Sequence, residues 1–142
     1  MKFNISIIGL GCIGLPLAIE FSKYFNVIGF DIDKKRVREL NEGIDITKEI
    51  VIKKKFSKNI YFTNNLKELQ NSNVFIITVP TPVMRNNKPD LSYLKKASEI
   101  VARNLKSSSI VIYESTVYPG CTEEYCSPIL ERLSGLRLNK DF

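Results

Sequence analysis

With 142 residues, of which 44% are hydrophobic and 25% charged, the chain has the size and balance of one globular domain and is too short for two ordinary ones. No apolar run approaches the roughly 20 residues a membrane span needs, and the N-terminal stretch after Lys2 holds a glycine turn where a signal peptide would have its cleavage site, so a soluble, cytoplasmic protein is expected. The net charge of +6, from 21 Lys and Arg against 15 Asp and Glu, suits an anionic ligand; the cluster Lys53, Lys54, Lys55 and Lys58 reads as a solvated loop, and neither nucleic acid nor a membrane is an expected partner.

Phe3, Ile5, Ile7 and Ile8 form an apolar run too short for a helix. It leads directly into Gly9, Gly11 and Gly14, where helical apolar spacing begins. The order is strand, glycine turn, helix. In such a turn Gly9 permits the tight bend, Gly11 lets the backbone approach a pyrophosphate, and Gly14 lets helix and strand pack closely. The N–H groups and dipole at the helix start favour the diphosphate charge. A second apolar strand ends in Asp31, some twenty residues after Gly11, where a carboxylate accepts hydrogen bonds from an adenosine ribose. A glycine pattern alone is weak, but here a strand precedes it, a helix follows, and an acid ends the next strand. The negative charge of Asp31 repels a 2′-phosphate, so NAD is expected over NADP. Among the neighbouring cations Lys34, Lys35 and Arg36, Arg36 lies by position along the adenosine side and the others are solvated.

Residues 33–40 carry Val37 and Leu40 at helical spacing, and Asn41-Glu-Gly43 ends that helix. Residues 44–58 have no clean period and are compatible with helix or loop. Ile60 to Phe62 reads as a short strand and Asn65 to Leu69 as a short helix. The β-branched and aromatic run Val74 to Val79 has the composition of a parallel strand buried on both faces. Pro80-Thr81-Pro82 then stiffens a loop at its carboxyl end and holds Val79 and Thr81 extended. From Asp90 as cap, Leu91, Leu94, Ala97, Ile100, Val101 and Leu105 make an amphipathic helix. Ser109 to Tyr113 is the next strand, breaking into Glu114-Ser115-Thr116 and the turn Tyr118-Pro-Gly120. The last helix starts near Thr122, with Glu123 and Glu124 in its first turn and a kink expected at Pro128.

Cys12, Cys121 and Cys126 are odd in number, lack CxxC spacing and have no histidine partner, the chain having none. Neither a disulfide framework nor a zinc site is expected. Cys121 sits near a helix start, where a thiol can be acidified, and Cys126 reads as a core residue.

The alternation of strands and helices argues an α/β fold, a Rossmann-like doubly wound parallel sheet in the order 3-2-1-4-5 with right-handed crossovers. A complete sheet of this kind has six strands. The chain stops after the helix that would feed the sixth, so a single incomplete domain over 1–142 is expected. Its fifth strand becomes an unpaired edge that favours association with a second copy, a homo-oligomer.

With the glycine turn, Val79-Pro-Thr-Pro-Val83, Asp90-Leu-Ser-Tyr-Leu94 and Glu114-Ser-Thr-Val-Tyr-Pro-Gly120 all in order, the sequence resembles the UDP-glucose/GDP-mannose dehydrogenase family. Within it the chain looks most like bacterial UDP-N-acetylhexosamine 6-dehydrogenases of surface-polysaccharide pathways. The resemblance implies oxidation of the C6 alcohol of a UDP-sugar to a carboxylate with two NAD, through an aldehyde and a cysteine thioester. It also implies that Gly9, Gly11 and Gly14 hold the pyrophosphate, with Cys12 and Ile13 offering backbone N–H groups. Asp31 and Arg36 would take the adenosine end, Thr81 would contact the cofactor, and Thr116 would touch the cofactor and the catalytic water. Cys12 departs from the aromatic usual at its position. The later catalytic residues and the sugar-nucleotide domain of such enzymes lie outside these 142 residues, so no catalytic residue is assigned and the chain alone is expected to be inactive. A free-standing NAD-sensing module, like the regulators of potassium transport, would share the glycine turn and the acid but has no need of Pro-Thr-Pro or Glu-Ser-Thr.

Overall fold

Strands and helices alternate along the chain in the computed structural model, which describes residues 3–48 and 56–142. β1 (Asn4–Ile8), β2 (Asn26–Phe30), β3 (Ile60–Thr63), β4 (Val74–Ile77) and β5 (Ile110–Tyr113) are all parallel and lie in the order β3-β2-β1-β4-β5. This is the doubly wound order expected from the sequence. Between them run α1 (Gly14–Phe21), α2 (Lys34–Asn41), a 3₁₀ helix (Leu66–Asn71) and α3 (Ser92–Ala102), and α4 (Ser127–Ser134) follows β5.

β1 and β4 read as unbroken apolar runs because both of their faces are covered. Phe75 and Ile77 of β4 face a core completed by Phe30, Leu94, Val101 and Leu130. Val74 and Ile76 face another, built with Ile7, Leu15, Leu40 and Phe62. Side chains that alternate along one strand thus serve opposite layers, α3 and α4 on one side and α1 and α2 on the other. One polar residue is buried in the middle strand, and it is matched: the Ser6 hydroxyl lies 2.5 Å from that of Ser72, which answers the cost of burying it. The chain turns away from β1 toward β2 and β3, then crosses back to β4. The carboxyl ends of β1 and β4 therefore splay apart, and the crevice of the fold opens there.

Local chemistry sets most boundaries. Asp33 caps α2 by accepting from the Lys35 N–H at 2.8 Å, and Asn65 does the same for the 3₁₀ helix through Lys67. Residues 44–48 form a turn around Asp45, which settles the first part of the ambiguous stretch as non-helical; Lys53, Lys54 and Lys55 lie outside the described residues, and Lys58 is exposed. The expected kink at Pro128 takes the form of a change of helix type. Residues Thr122–Cys126 form a π-helical turn in which the Ser127 N–H reaches the Thr122 carbonyl, and α4 begins with Pro128 in its first turn, where its missing N–H costs nothing.

β5 is half-exposed along its length, with Ile110 46% and Ile112 37% accessible, in keeping with its place at the sheet edge. Behind it Cys121 and Cys126 are both buried in the core. Burial pushes the Cys126 thiol up to about 11 and raises the neighbouring Tyr113 phenol as well. The folded chain thus keeps the Cys126 proton at a pH where the unfolded chain has lost it. Stability should accordingly fall as pH rises from about 9 to about 11. Urea unfolding across that range tests this: the slope should be shallower in Cys126→Ala, and an identical slope would refute the assignment.

Candidate functional site

The glycine turn after β1 is fixed by four hydrogen bonds, each to a part of the chain distant in sequence. The Gly9 N–H donates to the Phe30 carbonyl at 2.8 Å, and the Thr78 hydroxyl donates to the Gly9 carbonyl at 2.7 Å. The Leu10 N–H donates to Asp31 Oδ2 at 2.8 Å, while its carbonyl accepts from Arg36 Nε at 2.9 Å. Gly9 adopts φ of +100°, which a side chain would strain. At Gly14 a Cβ would collide with the Gly9 carbonyl oxygen, so only glycine lets α1 start this close to β1. Gly11 differs from both. A Cβ there would meet nothing within 4 Å, so the space over Gly11 is open to a ligand and not taken up by packing.

α1 begins at Gly14 with no side chain capping its first turn. Gly11, Cys12 and Ile13 ahead of it are exposed. Inside the helix the Leu15 N–H donates to the Gly11 carbonyl at 3.1 Å and Pro16 has none to give, so the donors turned to an outside acceptor are those of the exposed turn just ahead of it, an arrangement that suits a diphosphate. Beside them a cavity of about 260 Å³ runs between the ends of β1, β2 and β4 and the first turns of α3. Asp31 stands at its wall with Ile32, Val79, Pro80 and Ile100 as apolar neighbours. Its Oδ1 also accepts from the Asp33 N–H at 2.9 Å, and each carboxylate oxygen still has a lone pair for a further donor. An apolar slot ending in a carboxylate fits a purine nucleoside, base in the slot and ribose at the acid.

The loops at the far side of the crevice are stitched together. The Ser115 hydroxyl donates to the Val79 carbonyl, and the Thr81 hydroxyl to the Thr116 carbonyl, both at 2.6 Å. The Pro-Thr-Pro and Glu-Ser-Thr segments, thirty-five residues apart, thus form one wall, with the Thr116 side chain exposed on it. Gly9, Gly11 and Asp31 line the cavity; Cys12, Ile13 and Gly14 follow in the turn and helix start after β1, and Thr81 and Thr116 lie in the tied loops after β4 and β5. Arg36 is placed differently from a ligand-facing side chain. It is 5% exposed, with Nε on Leu10 and Nη2 on Asp45 at 2.9 Å, whereas Lys34 and Lys35 are exposed. Cys121 and Cys126, in the core behind β5, are away from it.

The sequence reading missed Ile32, Thr78, Tyr93 and Lys96, which line the cavity. Tyr93, Lys96, Ala97 and Ile100 share one helical edge of α3. That edge flanks the buried stripe of Leu94, Ala97 and Val101, and a spacing of three and four along α3 was the available signal.

The profile of the UDP-glucose/GDP-mannose dehydrogenase family, NAD binding domain, matches residues 3–142. The chain is 54% identical over 140 residues to the UDP-N-acetyl-D-glucosamine 6-dehydrogenase of Pseudomonas aeruginosa, covering 98% of this chain and 33% of that one. Its identity to the enzyme of the same name from Salmonella typhi is 50% over 142 residues, 99% of this chain and 33% of the other. Among solved structures, the UDP-D-ManNAc dehydrogenase of Pyrococcus horikoshii superposes with a TM-score of 0.87 at 37% identity, covering 99% of this chain and 34% of that one. The chain thus spans about a third of the length of the curated relatives it matches.

The different surroundings of Gly11 and Gly14 separate binding from folding. Gly14→Ala should destabilise the fold by about 2 to 3 kcal/mol, the range of an overpacked contact. Gly11→Ala should leave urea stability within about 0.5 kcal/mol yet weaken dinucleotide binding. Loss of stability comparable to Gly14→Ala would show that the space over Gly11 is not open.

Proposed function

Since the chain belongs to the UDP-glucose/GDP-mannose dehydrogenase family and forms its NAD-binding domain, we propose that it is the cofactor-binding part of a nucleotide-sugar 6-dehydrogenase. The parent reaction is oxidation of the C6 alcohol of a UDP-N-acetylhexosamine to a carboxylate with two NAD, in the cytoplasm, for a polysaccharide precursor. The observation that carries the reading is the pairing of Thr81 with Thr116 and of Val79 with Ser115, which joins two loops into the far wall of the crevice. A turn that only bound adenosine phosphates would not require this second wall.

When bound, NAD supplies the hydride acceptor. The chain's own residues bind and orient it. The N–H groups of Cys12 and Ile13 meet the pyrophosphate over Gly11, and Asp31 accepts from the adenosine ribose. Arg36 acts at that same end, through the Leu10 carbonyl it holds. Thr81 and Thr116 border the nicotinamide end, where the tied loops keep their hydroxyl and carbonyl groups in fixed register.

Asp31 sets the choice of cofactor in this reading. Calorimetric titration should show NAD binding more tightly than NADP by at least about tenfold, or 1.4 kcal/mol. Because Asp31 also holds the Leu10 and Asp33 N–H groups, Asp31→Ser should weaken NAD and narrow the gap together. Equal affinities in the unaltered chain would sink the role of Asp31.

These residues by themselves should oxidise no nucleotide sugar, since hydride transfer needs the alcohol carbon held within about 3 to 3.5 Å by groups that bind the sugar. The half-exposed Ile110 and Ile112 on the β5 edge further support pairing with a second copy of the chain. NADH formation with a panel of UDP-hexoses and UDP-N-acetylhexosamines should stay at the blank. Turnover that survives replacement of Cys121 and Cys126 by Ser would overturn the inactivity. Sizing in solution should show association that Ile112→Lys weakens, and a monomer would refute the edge pairing.

A further inference from the structure

Arg36 and Asp45 are the most deeply buried ion pair among the described residues, with side chains 6% and 1% exposed and Nη2 to Oδ1 at 2.9 Å. The same Asp45 oxygen accepts from the Thr47 N–H at 3.1 Å and the Thr47 hydroxyl at 2.7 Å. The aspartate is thereby locked in one orientation by its own turn. On the other side, Arg36 Nε holds the Leu10 carbonyl, and Leu10 donates its N–H to Asp31. A continuous chain of contacts runs from the turn at 44–48, through Arg36 and the glycine turn, to the carboxylate expected at the ribose. Arg36 Nη1 is buried with no hydrogen-bond partner among the described residues, so the guanidinium keeps a donor in reserve beside the dinucleotide site.

We propose that Asp45 is a positioning residue that determines nucleotide specificity: by holding Arg36 against Leu10 it shapes the glycine turn and withholds the nearest buried cation from a 2′-phosphate. The inference rests on the reading of the glycine turn as the NAD site. A guanidinium and a phosphate form strong paired hydrogen bonds, so an unrestrained Arg36 so close to Asp31 would favour NADP. Asp31 alone supplies repulsion, and that would be offset by a free arginine. With Asp45 in place the charge of the arginine is already paired, and its Nε and Nη2 are committed to Leu10 and Asp45. The two aspartates thus act on the same choice from opposite ends of one contact chain.

The test is the ratio of NADPH to NADH dissociation constants, read by fluorescence titration in the unaltered chain, Asp45→Asn, Arg36→Met and the double variant. Asp45→Asn should move the ratio toward NADPH by about tenfold, as expected for releasing one charge near a phosphate, with NADH itself bound more weakly. In the Arg36→Met background the same change should move the ratio less than twofold, since no cation remains to release. A ratio unchanged in Asp45→Asn, with both nucleotides weakened alike, would reduce Asp45 to a structural residue and overturn the proposal. An equal shift with and without Arg36 would overturn it too. A variant too weakly folded to titrate is read by the rise in melting temperature that each nucleotide produces. A larger rise with NADPH supports the proposal, and a larger or equal rise with NADH refutes it. If the unaltered chain binds neither nucleotide, the NAD reading and the inference fall together, an outcome distinct from binding that Asp45 does not influence.

Discussion

The backbone of Leu10 is the point on which the crevice depends. Its N–H is claimed by Asp31 and its carbonyl by Arg36, while the preceding residue is held by Phe30 and Thr78. None of these partners is local. A loop of three glycines would otherwise be the most freely moving part of the domain, because glycine surrenders the most backbone entropy on folding. Pinning the two peptide units that flank Leu10 converts a permissive sequence into a defined surface. The open space over Gly11 is useful only because its neighbours cannot relax into it.

Two-sided burial of the sheet supplies the frame for that arrangement. Ile7, Phe75, Ile76 and Ile77 are each no more than 2% exposed, so the strands that carry the glycine turn and the Pro80 wall cannot slide without exposing a full face. The second wall is rigid for a different reason. Two prolines fix the backbone of one loop, and the hydroxyls of Thr81 and Ser115 tie it to its neighbour. Hydrophobic packing thus sets the distances between strands, and a few side-chain hydrogen bonds set the shapes of the loops between them.

The features legible in the sequence were those written in consecutive residues. Periodicity and glycine spacing yielded the strand order, the turn and Asp31, since each is a local pattern with a local cause. The undecided stretch after Gly43 was illegible because its shape at 44–48 comes from Asp45 meeting Arg36 across a helix, and apolar periodicity carries no record of an ion pair. The same blindness hid the inward course of Arg36: its position set it apart from Lys34 and Lys35, but nothing local showed that it would be buried against Leu10 and Asp45. At the final helix, proline announced an irregularity but not its form. A residue without an N–H can end one hydrogen-bond pattern and begin another, and Pro128 heads α4 behind a π-turn. Tyr93 and Lys96 were passed over because they sit beside an apolar stripe, at the border where a helix wheel does not distinguish solvent from crevice.

The bonds that shape the glycine turn join residues 21, 26 and 69 positions apart. The widest of these separations makes the last bond of the turn a late event in folding, since the crossover to β4 must close before that contact can form. The Gly9 carbonyl finds its hydroxyl only once β4 has crossed back beside β1. During synthesis the first half of the chain can therefore leave the ribosome with its strands β1 to β3 paired and its nucleotide surface held on one side only. The crossover to β4 then closes the hydrophobic layer and completes the site in one step, so a chain arrested before residue 78 would have the motif in its sequence but only part of the surface that the motif describes.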